Sequence, residues 1–156
     1  MKVLEINHEN ALSAHKAADD AGKLLLENLL GPDVFKKASG KITDRIKTFE
    51  DACAAVEEDP NDDQFTDGEP DEIAYRKIKV IARALNEGWK PNWNNSNEYK
   101  WFPWFYLNNP GFRFVDSYFG CTLADSAGGS RLCFKSEELA KYAGQQFLDL
   151  YKDFIA

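Results

Sequence analysis

Two histidines, three cysteines and 26 acids are the side chains of this 156-residue sequence that could carry acid–base, nucleophilic or metal chemistry. His8 and His15 stand seven apart, so they could share a helix face. Metal sites take tighter sets, such as two histidines at i and i+4, and only Glu9 adjoins His8. Both histidines therefore read as surface residues. Cys53, Cys121 and Cys133 are odd in number and contain no CxxC pair, which reads as reduced thiols and not as a disulfide framework. No GxSxG or GxxxxGK[ST] motif is present. Ala127-Gly128-Gly129-Ser130 leads into an expected strand, so it lacks the helix N-terminus that a phosphate cradle needs. The sequence assigns no catalytic residue, no metal ligand and no cofactor.

The acids are unevenly placed. Eleven fall between Glu50 and Glu72, a segment without Lys or Arg; taking them from the 26 leaves 15 acids against 19 bases elsewhere. The net charge of −7 thus belongs to a near-neutral body carrying an acidic loop. A calcium loop would need Gly at its sixth position and Glu at its twelfth. From Asp59 those positions are Gln64 and Pro70. From Asp63, Phe65 falls on a ligand position and Ala74 on the twelfth. The segment therefore reads as a solvated, mobile loop. The overall charge also opposes a nucleic-acid backbone, which requires clustered Lys and Arg.

The exceptional feature is aromatic. Twelve of the 21 aromatic residues lie between Trp89 and Phe119. Tyr99 to Leu107 and Phe112 to Phe119 read as a hairpin around Asn108-Asn109-Pro110-Gly111. Alternation puts Tyr99, Trp101 and Phe105 on one face of the first strand, and Phe102, Trp104 and Tyr106 on the other. Pro103 marks that strand as an edge or a bulge. Aromatics dominate protein contact surfaces and also stack bases. Gly111 to Tyr118 partly matches the aromatic motif of RNA-recognition domains, but Arg113 replaces a small residue and the βαββαβ order is missing. The residues assigned to partner contact are Trp101, Trp104, Tyr106 and Arg113.

The elements that position them follow from periodicity and caps. The expected fold class is α+β: a helical N-terminal half, a three-stranded antiparallel meander, and a C-terminal helix packed on the sheet. At 156 residues one domain is expected. Its parts are a helical region over 1–58, an acidic loop over 59–70, a helix over 71–88, the sheet over 99–134 and a C-terminal helix over 136–155. Ala14, Ala18, Ala21 and Leu25 predict one helix ending at Gly31. Thr48 to Asp51 is a capping pattern. Asp71 is expected to cap the helix whose apolar face is Ala74, Ile78, Ile81, Ala82 and Leu85. Arg131 to Phe134 is the expected third strand, and Ser136 the cap of the last helix. MKVLEINHEN has no apolar signal core and no apolar run reaches 18 residues, so a cytoplasmic, non-membrane protein is expected.

Three blocks carry a resemblance: KITDRIKTFEDAC from Lys41, IARALNEGWKPNWNNSNEYKWFPWF from Ile81, and RLCFKSEELAKYAGQQFLDLYKDF from Arg131. Together they resemble uncharacterised small proteins encoded by phages and prophages of gut bacteria. The resemblance implies a mobile-element protein of the bacterial cytoplasm and supplies no site residues. The expected function is a non-enzymatic accessory role exercised by binding a protein partner. A single-stranded nucleic-acid binder and a minor virion component are the alternatives.

Overall fold

A computed structural model describes residues 8–31, 34–35, 40–107, 111–123 and 131–156. The expected strand or lead before His8, the hairpin turn at 108–110 and the Gly/Ser loop at 126–130 lie outside the described residues. The chain divides into two compact units, Met1–Lys41 and Ile42–Ala156.

In the first unit the single predicted helix is two. Helix α1 spans His8–Ala17 and α2 spans Asp20–Leu30. The break falls at Asp19, whose carboxylate accepts the Gly22 N–H at 2.9 Å and starts α2 afresh. Alanine spacing cannot register this, because a side-chain cap competes with helix continuation through local hydrogen bonds. Gly31 ends α2 with φ +89°, as its type suggested.

The second unit holds the core. Short helices α3 (Ile42–Arg45) and α4 (Phe49–Ala55) lead in. Thr48 and Asp51 form the expected capping box, Thr48 Oγ1 accepting from Asp51 N at 3.1 Å and Asp51 Oδ2 from Thr48 N at 2.9 Å. Helix α5 spans Pro70–Leu85. Its cap position is Glu69, with no side-chain cap bond, and Pro70 sits at the first turn. Asp71 is therefore inside the helix, where the positive N-terminal dipole favours it, and is not the cap. All five residues of the predicted apolar face, Ala74, Ile78, Ile81, Ala82 and Leu85, are buried.

Strands β1 (Lys100–Tyr106) and β2 (Arg113–Gly120) form an antiparallel pair close to the predicted hairpin. The predicted third strand is not formed. Among the described residues it shrinks to one bridge, in which Trp101 and Phe134 exchange backbone bonds of 3.0 and 2.8 Å. The next bonded pairs would be Pro103 with Leu132 and Tyr99 with Ser136. Pro103 has no N–H to give. Ser136 is already turned into the next helix, its Oγ accepting from Leu139 N. The ladder is blocked on both sides. Asn86 instead holds the segment, donating to the Cys133 carbonyl at 2.8 Å and accepting from Lys135 N at 2.9 Å.

The C-terminal helix is also two: α6 (Glu137–Gln146) and α7 (Leu148–Ile155), with a non-helical Phe147 between them (φ −112°, ψ 33°). Phe147 at this step and Tyr151 in the first turn of α7 are both buried. Helix α7 packs along α5, where Tyr75 stacks on Phe154 at 5.5 Å. Helix α6 lies on the hairpin, so close that a Cβ on Gly144 would meet the Phe114 ring at 2.6 Å and Pro103 Cβ at 2.8 Å.

The stretch from Trp89 to Tyr99 is folded around a buried ammonium. Lys100 is 0% exposed, and its Nζ donates to the carbonyls of Asn92 (2.7 Å), Glu98 (2.8 Å) and Asn95 (3.2 Å). The Glu98 carboxylate lies 3.2 Å away, and the Trp93 ring 5.4 Å. Three carbonyls and a carboxylate around one cation make a closed local network, as a buried charge requires. The Asn92 N–H and the Lys100 ammonium hold the Glu98 carboxyl below its ordinary range. A carboxyl lowered in the folded state adds stability above its unfolded pKa and loses it as pH falls through the folded value.

Two predictions follow from this packing. Gly144→Ala gains about 1 kcal/mol of helix propensity but must displace Phe114 and Pro103, an overpacking cost of about 1–3 kcal/mol. Urea unfolding is expected to show a net loss of stability, whereas an unchanged or raised midpoint would mean that the helix does not approach the strand this closely. Lys100→Met orphans three carbonyls and Glu98, and is expected to cost about 3 kcal/mol. Carboxyl-detected NMR is expected to show Glu98 titrating below the usual glutamate range in the parent protein and rising in that variant.

Candidate functional site: the outer aromatic face

Pairing across the hairpin sorts its side chains into two faces. Phe105 opposes Phe114, Pro103 opposes Ser117, and Trp101 opposes Phe119. This is the inner face. Phe105 packs on the buried Tyr151 ring at 4.9 Å and Phe112 at 4.9 Å, and Phe114 lies under α6. The outer face carries Phe102 opposite Tyr118, Trp104 opposite Asp116, and Tyr106 opposite Arg113. A bulge between Trp104 and Phe105 leaves Val115 as the extra residue of β2. It resets the register so that Arg113 and Tyr106 share the face with Trp104.

Most of the outer face is open. Trp104 is 54% exposed, Tyr118 63% and Tyr106 47%. The Trp104 and Tyr118 rings meet at 5.7 Å. The Arg113 guanidinium lies over the Tyr106 ring at 4.4 Å, a cation–π pair that fixes a long, otherwise mobile side chain. Arg113 has no carboxylate partner among the described residues. Asp116 does have a cation: Lys141 reaches it from α6 at 2.9 Å while also holding Glu137 at 2.8 Å. The Lys141 ammonium, helped by the Ser117 N–H, pulls the Asp116 carboxyl down, so the face keeps an ionised acid near its centre.

Of the four residues assigned to contact, the structure brings together Trp104, Tyr106 and Arg113. Trp101 lies on the opposite face, half-buried against Phe119 at 5.0 Å. It is linked to Trp104 only through a run of touching rings, Phe119 to Tyr118 at 5.8 Å and Tyr118 to Trp104. Tyr118 and Asp116 are the site residues that sequence reasoning missed. Their placement opposite Phe102 and Trp104 depends on the bulge at Val115, which no residue type announces.

Of the chemistry-bearing groups considered first, His15, Cys53 and Cys133 are packed into the structure, and the His8 side chain lies outside what the structure describes. His15 Nε2 lies 2.9 Å from Glu27 Oε1, and its ring stacks on Phe35 at 4.3 Å. It is half-buried, not a surface histidine. Burial pushes the Cys133 thiol up to about 11. Burial, and then the nearby Glu58 and Glu50, raise the Cys53 thiol. Neither is an activated nucleophile. Among the described residues no three His, Cys, Asp or Glu side chains gather as a metal would need, and no helix is long and apolar enough to cross a membrane.

The acidic segment is the largely exposed loop expected, with internal bonds that its composition does not announce. Phe65 anchors it in the core within a short 3₁₀ turn, Asp63–Phe65. Arg76 donates to the carbonyls of Gln64 and Asp67, each at 2.9 Å, and to Glu72 at 2.8 Å. Asp59 and Asp62 close local turns on Asn61 N and Gln64 N. Compared with known proteins, the chain matches no family model, no curated protein and no solved structure.

Among the four tryptophans only Trp104 is exposed. N-bromosuccinimide is therefore expected to oxidise one tryptophan rapidly, at position 104 by peptide mass mapping, with Trp104→Phe removing the fast phase. Rapid oxidation of Trp93 or Trp101 instead would mean that the outer face is covered and the loop or inner face open.

Proposed function

We propose that this chain is a non-enzymatic accessory protein of a phage or other mobile element, and that it works by gripping a protein partner on the outer face of the hairpin. The observation that carries this reading is the exposure of Trp104, Tyr118 and Tyr106 side by side on one rigid face with Arg113 pinned among them. Large aromatics and arginine are the residues that dominate protein–protein binding energy. They need no folding explanation here, since the inner face already anchors the hairpin.

The electrostatics favour polypeptide over nucleic acid. Asp116 sits among the rings as an ionised acid, and Lys141, the lysine that reaches it, is held by Asp116 and Glu137 together. A phosphate backbone would meet one guanidinium and one carboxylate. Phe112 and Phe114, the aromatic positions of the RNA-recognition resemblance, point to Phe105 and α6 rather than to solvent. The partner chemistry that fits is an apolar patch with a carboxylate at its rim, which would complete the Arg113 pair.

The test is capture from the native host. Parent protein is expected to retain one partner that Trp104→Ala with Tyr118→Ala loses, at least tenfold in Kd, while urea unfolding changes by under about 1 kcal/mol. Arg113→Glu is expected to weaken the same complex without altering the fold. Oligonucleotide binding at low salt that disappears in the double variant would replace this reading with a nucleic-acid one. Unfolding of both aromatic variants would make the face part of the core and end it.

A further inference from the structure

A second concave feature lies on the far side of α5 from its core stripe and has no part in the aromatic face. It is a cleft of about 440 Å³. That is within the range of small-molecule sites, roughly 300–1,000 Å³. Its long wall is helical: Arg76, Lys79, Val80 and Arg83 recur at intervals of one and three along a single flank of α5, and Asn86 continues the row at its C-cap. At 1.5 Å per residue they span about 15 Å. Gln64 and Phe65 close the end near Arg76. Trp89, Pro91, Arg131 and Cys133 close the end near Asn86.

The charge of the cleft runs against that of the chain. Four cations line it, Arg76, Lys79, Arg83 and Arg131, against one carboxylate, Glu58, in a protein of net charge −7. Two of the four have an internal role. Arg76 binds the acidic segment, and Arg83 pairs with Glu58. The other two do not. Lys79 lies over the Tyr75 ring at 5.2 Å, and neither it nor Arg131 has a carboxylate partner among the described residues. Holding the acidic segment therefore explains half of the basic wall and leaves Lys79 and Arg131 over.

The far end supplies a flat surface. Trp89 is half-buried, and its backbone N–H bonds the Asn86 carbonyl at 3.0 Å. That bond anchors the Trp89 backbone at the C-terminal end of α5. Asn86 ties this end to the Cys133–Lys135 segment and so sets Arg131, two residues earlier, beside it. An indole with the Arg131 guanidinium at the same end, and Lys79 about two turns along α5, match a planar ring joined to a phosphate chain. Guanidinium recognises phosphate in a planar, bidentate way, and an indole stacks any heteroaromatic base.

We propose that this cleft binds a small phosphorylated ligand bearing a planar ring, of the nucleotide class, with Lys79 and Arg131 on the phosphates and Trp89 under the ring. The test uses the full chain and isothermal titration with ADP, GDP, CDP and UDP, with inorganic pyrophosphate as the charge-only probe and adenosine as the ring-only probe. At least one nucleotide is expected to bind one-to-one, tenfold or more tightly than either partial probe, and to quench Trp89 fluorescence. Lys79→Glu with Arg131→Glu is expected to weaken that binding at least tenfold without moving the unfolding midpoint, and Trp89→Leu to bring the nucleotide down to the affinity of pyrophosphate. Trp104→Ala is expected to leave it unchanged, which separates this cleft from the aromatic face. No binding by any nucleotide at millimolar concentration, equal binding of pyrophosphate and nucleotide, or binding indifferent to the charge reversals would each overturn the proposal.

Discussion

A two-stranded hairpin is marginal in water by itself, so its shape must be imposed from one side. In this molecule the imposing contact is the approach of α6 to the strands at Gly144. The missing Cβ lets the helix backbone settle over Phe114 and Pro103, and with it Phe105 reaches the core through Tyr151. Everything on the outer face inherits its rigidity from this contact. The inner rings bury the apolar area that stabilises the hairpin. The outer rings are then free to be exposed without being loose, because a strand whose alternate residues are locked cannot turn its other residues over.

The same constraint explains why the sheet stops at two strands. A third strand beyond β1 would extend the outer face and pair its edge. Pro103 prevents this by withholding one N–H, and the Ser136 cap prevents it on the other side by committing the chain to α6. The compensating device is Asn86, a buried amide that satisfies one carbonyl and one N–H of the 133–135 segment and holds Phe134 at the bridge. On the β2 side, Ser117 N–H is taken by the Asp116 carboxylate at 2.9 Å. Proline at one edge and an internally bonded amide at the other blunt the strand-pairing route. They leave the side-chain face as the part of the sheet open to contact.

Much of this architecture was legible in the sequence because it rests on local chemistry. The capping box at Thr48, the cap at Ser136, the stop at Gly31 and the apolar stripe of α5 are each written within about four residues. So is the outward placement of Trp104 and Tyr106, which needs only the two-residue strand period. What was not legible depends on choices between competing local bonds, or on partners far along the chain. Asp19 splits a helix that its alanines would have continued. Phe147 steps out of helix between two segments with the same apolar period. The bulge at Val115 decides that Arg113 joins Tyr106. Lys100 looks like an ordinary strand lysine until Asn92, Asn95 and Glu98 turn their carbonyls onto it.

The acidic segment shows how composition alone can mislead. Eleven acids without a base look like a solvated, mobile loop. Its acids act individually: Asp51 closes a capping box, Asp59 and Asp62 close turns, Glu72 and Glu58 face Arg76 and Arg83. A segment used in this way is poorly suited to mimic a phosphate backbone, because an incoming basic partner would have to displace internal bonds before gaining new ones. The surplus runs the other way. Once these pairs are counted, the groups left unmatched near α5 are cations, and those left unmatched on the hairpin are aromatic rings beside a lone guanidinium. Folding accounts for neither remainder, and single exposed apolar residues need no explanation whereas contiguous ones do. These two surfaces, differing in physics and lying on different elements of the second unit, are where the molecule spends side chains that its own stability does not require.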